Sequence, residues 1–126
     1  MIHGIGTDIV GVARLQHNLD RYGERFAARI LDSQELEAFR RAAQPGPFLA
    51  KRFAAKEALV KALGTGFRQG IGLRDIGVRN DALGKPELAF STRMDARLRS
   101  HGIAVAHLSL SDERDYAIAF VVLERA

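Results

Sequence analysis

One segment constrains the fold of this chain more than any other. Residues 48–63 read FLAKRFAAKEALVKAL and stop at Gly64. Alanine, leucine and lysine are strong helix formers, Pro47 is favourable in a first helical turn, and Gly64 can take the left-handed conformation that ends a helix. We therefore predict a helix that begins close to Pro47, measures about 25 Å, and forms the spine around which the chain must pack.

A charged stripe runs along this predicted helix. Phe53, Glu57 and Lys61 lie one above another, which brings a carboxylate and an ammonium together at a Cβ separation of about 6 Å. The same spacing is also the commonest favourable pair on a solvated helix, where it contributes a few tenths of a kcal/mol. A solvated face and a working site are both consistent with the stripe.

A second carboxylate, Asp8, favours the working site. Asp8 lies within residues 2–10, an apolar, β-compatible stretch that contains two glycines. A charge in an apolar strand is costly to desolvate unless a cation or a set of hydrogen bonds meets it. We therefore expect Asp8 to have a polar partner.

Length and composition narrow the class of protein. A chain of 126 residues with 47% hydrophobic content suits a single domain over residues 1–126. No run approaches the roughly 18 apolar residues of a membrane span, and no signal segment is evident, so we expect a cytoplasmic protein. The absence of cysteine leaves oxygen or imidazole as metal ligands, and the net charge of +4 favours anionic partners.

The remaining segments predict shorter elements around the long helix. Residues 12–39 read as helical in short pieces, broken near Tyr22 and restarted at Asp32 and Ser33, with Ser33 as the N-cap. The fold class is therefore α+β, with a mainly antiparallel sheet packed on one long helix plus shorter helices. Strands are expected at residues 2–10, 103–111 and 116–123, a hairpin at 75–80 and 87–91, and a short helix at 92–100.

Several motifs in register resemble one family. They are GIGTDIV at residues 4–10, RFAAKEA at 52–58 with Lys61, GTG at 64–66, GKP at 84–86 and HLSLS at 107–111. In this order and spacing they resemble the holo-acyl-carrier-protein synthases, the small bacterial 4'-phosphopantetheinyl transferases. The resemblance covers almost the whole chain and implies the 4'-phosphopantetheinyl transferase fold.

The resemblance implies an enzyme that transfers the 4'-phosphopantetheine group of coenzyme A to a serine hydroxyl of apo-acyl carrier protein, for fatty acid biosynthesis. Adenosine 3',5'-bisphosphate would leave, and Mg2+ would be required. Asp8 and Glu57 would bind the metal, since Mg2+ commonly takes one or two carboxylates plus phosphate oxygens. Lys61 would stabilise the leaving phosphate as a point charge. Either Glu57 or a metal-held water would remove the serine proton.

The resemblance also implies a set of coenzyme A contacts. For several of these residues a structural role is an alternative, because Gly64 can simply end the helix, Lys85 and Pro86 can simply form a turn, and a histidine in a strand is commonly an ordinary hydrogen-bonded group. The implied contacts are Arg52, Lys56, Gly64, Lys85, Pro86, His107 and Ser109.

The early helical region carries the implied contacts to the carrier protein. In the resembling family this region receives an acidic helix of the carrier, although a solvated basic face with Phe26 in the core is an alternative. The residues are Arg14, Arg21, Arg25, Phe26 and Arg29, of which the spacing places 14, 21 and 25 on one helix face. The family also implies a homotrimer with active sites between subunits, to which Arg52 and His107 would come from a neighbouring chain. One departure is Gly11, where the family commonly has glutamate.

Three other classes of protein fit the sequence less well. A nucleic-acid-binding module fits the basic balance, but the chain has seven phenylalanines, two tyrosines and no tryptophan, and its positive charge is mixed with acid throughout. A non-catalytic binding protein would be expected to lack Asp8, Glu57 or Lys61, and all three are present. The transferases of secondary metabolism are usually about twice this length.

Overall fold

The computed structural model describes residues 1–68 and 70–126 as an antiparallel sheet, a separate hairpin and a set of helices. In these ranges β1 is followed by four helices, of which the last is the long one, and α5 lies between the hairpin and the final two strands. The elements are β1 (Ile2–Gly11), α1 (Val12–Tyr22), α2 (Glu24–Ile30), α3 (Ser33–Arg40), α4 (Pro45–Leu63), a 3-10 helix (Leu73–Asp75), β2 (Ile76–Asn80), β3 (Pro86–Phe90), α5 (Thr92–Ser100), β4 (Ile103–Asp112) and β5 (Tyr116–Arg125).

The predicted α+β class and the antiparallel sheet on the long helix are confirmed. Strand β5 lies at the centre of a three-stranded antiparallel sheet, between β1 and β4. The predicted hairpin pairs β2 with β3 as a second sheet. Helix α4 begins at Pro45, two residues before Pro47, and ends where Gly64 adopts φ 86°.

Small side chains allow α4 to pack closely on the inner face of the larger sheet. Ala54 and Ala58 of α4 are fully buried, as are Ala117 and Ala119 of β5. Alanine on both surfaces brings helix and sheet together with little side-chain volume between them. Among the helices of the described residues, none is long and apolar enough to cross a membrane.

The two glycines of β1 bring that strand against the backbone of α4. A Cβ on Gly4 would lie 2.1 Å from the carbonyl oxygen of Ala62, and one on Gly6 would lie 2.0 Å from that of Ala58. Real Cβ atoms do not approach backbone oxygens this closely, so only glycine permits this strand-to-helix distance. Asp8 has the same strand parity as Gly4 and Gly6, and its side chain therefore projects toward α4.

The predicted start of α3 was wrong by one residue. Asp32, rather than Ser33, is the N-cap, and its side chain accepts a hydrogen bond from the Glu35 backbone nitrogen at 2.8 Å. Glu35 returns the bond by accepting from the Asp32 nitrogen at 3.0 Å, which completes a capping box. The exchange places Glu35 at a fixed, buried position.

Asp75 joins the 3-10 helix to the start of α5. Its carboxylate accepts hydrogen bonds from Arg93 at 2.7 and 2.9 Å, from the Ser91 hydroxyl at 2.7 Å and from the Gly72 nitrogen at 2.8 Å. The Asp75 pKa is lowered to about 2, and the hydrogen bonds from Arg93 are the largest cause. The bonds from Gly72 and Ser91 lower it further. The charged form of Asp75 therefore stabilises this junction.

Replacing Asp75 with asparagine should lower the free energy of unfolding at neutral pH by about 2 kcal/mol, since hydrogen bonds to a charged group are lost. A carboxyl whose pKa is lowered on folding stabilises above its unfolded pKa, near 4, and loses that contribution as pH falls toward 2. Urea unfolding at several pH values should show the difference from wild type shrinking over this window. An equal difference at pH 7 and pH 2 would contradict the assignment, and exposed Asp115→Asn serves as the control.

Candidate active site

Asp8 meets the cation that its apolar strand required. Lys61 Nζ lies 2.9 Å from Asp8 Oδ1 and donates a second hydrogen bond to the Thr7 carbonyl oxygen at 3.1 Å. The Asp8 side chain is 15% exposed and that of Lys61 is 54% exposed, so the pair opens to solvent on its lysine side. An ammonium has three donors, which leaves one proton of Lys61 for a further acceptor.

Glu57 completes this cluster from the preceding turn of α4. Burial is the first cause of a raised Glu57 pKa, and the nearby negative charge of Asp8 is the second, while Lys61 and Arg14 act in the opposite direction. A carboxylate whose charge raises the Glu57 pKa must lie close to it, and Glu57 is one helical turn before Lys61 on α4. The structure therefore brings together Asp8, Glu57 and Lys61, the three residues predicted from opposite parts of the sequence.

The donor set of this cluster suits Mg2+. Two carboxylates supply hard oxygen ligands, and a raised Glu57 pKa beside Asp8 indicates that a cation between them would relieve repulsion. Mg2+ commonly uses one or two carboxylates and completes its octahedron with water and substrate phosphate oxygens. Asp8 and Glu57 are thus the residues that would hold the ion.

Arg52 is a buried cation without a full set of partners in the described residues. Its guanidinium lies 3.8 Å from the centre of the Phe48 ring, and its Nε is 3.6 Å from Glu35 Oε2, beyond hydrogen-bond range. That nitrogen is buried without a hydrogen-bond partner, and burial lowers the Arg52 pKa. Arg52 also lines a cavity of about 230 Å3 together with Gly84 and Pro86, which keeps it in the predicted contact set.

The predicted contact of Lys56 with coenzyme A is not supported by its position. The side chain is 0% exposed, and its Nζ donates to Glu35 Oε1 and to the Ile30 carbonyl oxygen, both at 2.6 Å. Burial lowers the Lys56 pKa, while the Glu35 charge opposes this. The helix edge that Lys56 shares with Arg52 faces inward, so we correct its role from ligand contact to internal contact.

Three other predicted residues lie around one cavity at the hairpin and β4. Lys85, Pro86 and His107 line a space of about 280 Å3, and His107 Nε2 lies 2.5 Å from Glu124 Oε1 on the neighbouring strand β5. Ser109 is exposed two residues further along β4, and Gly64 is exposed at the end of α4. These residues offer donors and a cation for an anionic ligand.

The two cavities that predicted coenzyme A contacts line do not include the carboxylate cluster. The described residues that line the Arg52 and His107 cavities include none of Asp8, Glu57 and Lys61. Pro86 borders both of these cavities, so they are neighbours of each other. The described residues thus present the carboxylate cluster and these two cavities as separate features of the chain.

The predicted carrier-binding residues form a continuous basic surface across two helices. Gly23, at φ 67°, separates α1 from α2, so Arg14 and Arg21 lie on a different helix from Arg25, and the prediction of one shared helix face is wrong for Arg25. A groove of about 570 Å3 nevertheless unites Arg21, Arg25, Phe26 and Arg29. An adjoining groove of about 290 Å3 adds Arg14 and Phe53, with Phe26 and Arg29 common to both. The four arginines are exposed and Phe26 is partly buried.

Sequence reasoning missed Glu35, which organises the interior beside Lys56. Its Oε2 also accepts from the Val78 nitrogen at 3.0 Å, so one carboxylate joins α3, α4 and β2. The Asp32-x-x-Glu35 spacing of a capping box was the signal that could have located it.

Comparison with known proteins places the chain in a family. The model of the 4'-phosphopantetheinyl transferase superfamily matches residues 4–121. A holo-[acyl-carrier-protein] synthase of Halorhodospira halophila is 56% identical over 98% of each chain. The crystal structure of the Neisseria meningitidis synthase has a TM-score of 0.94 at 49% identity and covers 99% of this chain and 100% of that one.

A further similar structure was determined with a ligand. The holo-(acyl-carrier-protein) synthase of Bacillus anthracis, in complex with CoA (3',5'-ADP), has a TM-score of 0.83 at 40% identity and covers 100% of this chain and 99% of that one. The chain therefore belongs to the 4'-phosphopantetheinyl transferase superfamily, within which it is an enzyme of the holo-[acyl-carrier-protein] synthase family.

Proposed function

We propose that this enzyme transfers the 4'-phosphopantetheine group of coenzyme A to a serine hydroxyl of apo-acyl carrier protein, with Mg2+, in fatty acid biosynthesis. The products are holo-acyl carrier protein and adenosine 3',5'-bisphosphate. The observation that carries the proposal is the cluster of Asp8, Glu57 and Lys61, in which two carboxylates and a partly free ammonium share one solvent-open site. The family and the coenzyme-bound relative support it.

The residues of the cluster have different roles in phosphoryl transfer. Asp8 and Glu57 would hold Mg2+, which would neutralise the pyrophosphate charge. Lys61, with one donor left after its bonds to Asp8 and Thr7, can pair with an oxygen of the departing bisphosphate. Burial and Asp8 make Glu57 a stronger base than an exposed glutamate, so its carboxylate, or a water held beside it, can take the serine proton.

We further propose that the active site is completed between subunits of a homotrimer. The outer face of the larger sheet exposes Ile5, Ile9, Ile118 and Phe120, an apolar surface of the kind that other protein surfaces cover. The cavities at Arg52 and His107 lie apart from the carboxylate cluster of the same chain. A neighbouring subunit that supplies these two residues would join the coenzyme contacts to the metal ligands, and light scattering should give the mass of three chains.

Reversing one charge on the basic groove should weaken carrier binding. In Arg25→Glu the exposed positive charge becomes negative, and we expect the KM for the acidic carrier to rise about tenfold, with a smaller salt dependence than in wild type. The KM for coenzyme A should remain the same. The exposed Arg114→Glu variant is the matched control, and an unchanged carrier KM in Arg25→Glu would place the carrier elsewhere.

The overall activity is tested by weighing the carrier. The protein is incubated with apo-acyl carrier protein, coenzyme A and Mg2+, and intact-protein mass spectrometry follows the carrier. We expect a gain of one phosphopantetheine group that a chelator abolishes and that added Mg2+ restores. Folded protein that modifies no apo carrier would contradict the proposed function, and transfer that persists in chelator would contradict the role of the metal.

A further inference from the structure

Lys56 is a buried cation whose charge serves contacts inside the protein. Its ammonium is 0% exposed and lies 2.6 Å both from Glu35 Oε1 and from the carbonyl oxygen of Ile30. Ile30 is the last residue of α2, whose final carbonyl oxygens have no partner within the helix. Lys56 therefore links the C-terminal end of α2 to the middle of α4 by a hydrogen bond.

Glu35, the partner of Lys56, is also fixed by several hydrogen bonds. Glu35 accepts from the Asp32 nitrogen at 3.0 Å and from the Val78 nitrogen at 3.0 Å, and its side chain is completely buried. A carboxylate fixed by the capping box and by β2 gives the Lys56 ammonium a single position. Four elements, namely α2, α3, α4 and β2, thus meet at one ion pair.

This ion pair links the two regions that the reaction must bring together. Helix α2 carries Arg25, Phe26 and Arg29 of the basic groove. On α4, Lys56 directly precedes Glu57, so the turn that receives α2 is the turn that presents the candidate metal ligand. The separation of groove and carboxylate cluster therefore depends on where Lys56 holds α2.

A buried ion pair is a costly way to fill a core. Well-packed apolar residues of similar volume are often as stabilising or more so, whereas an ammonium between two fixed acceptors permits one geometry. We propose that Lys56 is a positioning residue that sets α2, and with it the docked carrier protein, at the correct distance from Glu57. This inference rests on the proposed transfer to a carrier protein.

The first test is Lys56→Met, which keeps the length of the side chain and removes its charge. Loosening α2 should raise the KM for apo-acyl carrier protein by about tenfold and lower kcat by a similar factor, because misplacement by about 1 Å can cost up to 100-fold. The KM for coenzyme A should change less than the carrier KM. The exposed pair of Arg99 with Asp95 on α5 supplies a control, Arg99→Met, in which both KM values should remain unchanged.

The second test asks whether Lys56 positions α2 or only neutralises the buried charge of Glu35. The double variant Glu35→Gln with Lys56→Met leaves neither member of this pair charged, but it also removes the carboxylate that lies 3.6 Å from Nε of buried Arg52, so its melting temperature should recover only in part relative to Lys56→Met. If Lys56 positions α2, the carrier KM of the double variant remains raised despite that recovery. A return of the carrier KM to the wild-type value would overturn the proposal, because the pair would then serve stability alone.

The remaining outcomes also decide the question. Wild-type carrier KM in a folded Lys56→Met variant would overturn the inference, as would failure of both variants to fold, since Lys56 would then be needed for the fold itself. The proposed function is judged separately, because its failure would appear as no transfer by the wild-type protein.

Discussion

Glu57→Gln is expected to lower the rate of phosphopantetheine transfer by at least about 100-fold, the usual effect of removing one preorganised electrostatic group. The amide keeps the shape of the side chain but is a poor Mg2+ ligand and no base. Because burial, and then the charge of Asp8, raise the Glu57 pKa, ionised Glu57 opposes folding, and its removal should leave the melting temperature equal to or above that of wild type. The measurement pairs initial rates by mass spectrometry with thermal unfolding.

The companion variant Asp8→Asn should lose activity to a similar degree, and the double variant should lose little more, since residues that act as a unit are strongly non-additive. Glu113→Gln changes an exposed carboxylate in the loop between β4 and β5, and it should retain wild-type rates. Full activity of Glu57→Gln, or fully additive losses in the double variant, would contradict a shared metal pair.

The same cluster predicts how the metal requirement changes with pH. A raised Glu57 pKa means that the proton competes with Mg2+ at higher pH than it would on an exposed glutamate. The Mg2+ concentration that gives half-maximal rate should therefore rise as pH falls through that pKa. In Asp8→Asn the repulsion is absent, so the rise should begin at lower pH.

Local patterns were sufficient for much of the fold. The long helix, the hairpin and the paired strands β4 and β5 were predicted because helix formers, a C-terminal glycine and alternating apolar residues act over a few neighbouring positions. Asp8 was predicted to need a polar partner because a carboxylate in an otherwise apolar strand is costly to desolvate without one, and Lys61 is that partner.

Contacts between distant segments could not be predicted in this way. Lys56 and Lys61 look alike on a helix, and only the packing of α2 and α3 over α4 decides that Lys56 is buried and Lys61 is half-exposed. The prediction of Ser33 as N-cap also missed Glu35, because Glu35 is the third residue after the N-cap only when Asp32 is the N-cap. The carboxylate cluster was accessible to sequence reasoning, whereas the interior ion pair required the tertiary structure.

Gly6→Ala should produce a larger loss of stability than any of the other substitutions. The new Cβ would lie 2.0 Å from the Ala58 carbonyl oxygen and 2.6 Å from the Ala62 nitrogen, and neither backbone atom can rotate away. Strand β1 must then separate from α4, at a cost of about 3 kcal/mol in the free energy of unfolding. Urea unfolding measures that cost directly.

The loss should extend to catalysis, because β1 carries Asp8 and α4 carries Glu57 and Lys61. A strand displaced by a methyl group lengthens the 2.9 Å contact between Asp8 and Lys61, so transfer should fall even in variants that remain folded. Gly11→Ser is the matched control on the same strand. Gly11 has φ −73°, and a Cβ at this position would meet no atom within 4 Å beyond its chain neighbours, so the stability of this variant should change by less than about 0.5 kcal/mol. Equal stability of the two variants would show that β1 can move away from α4 without cost. The close approach of strand and helix would then not be required to assemble the site.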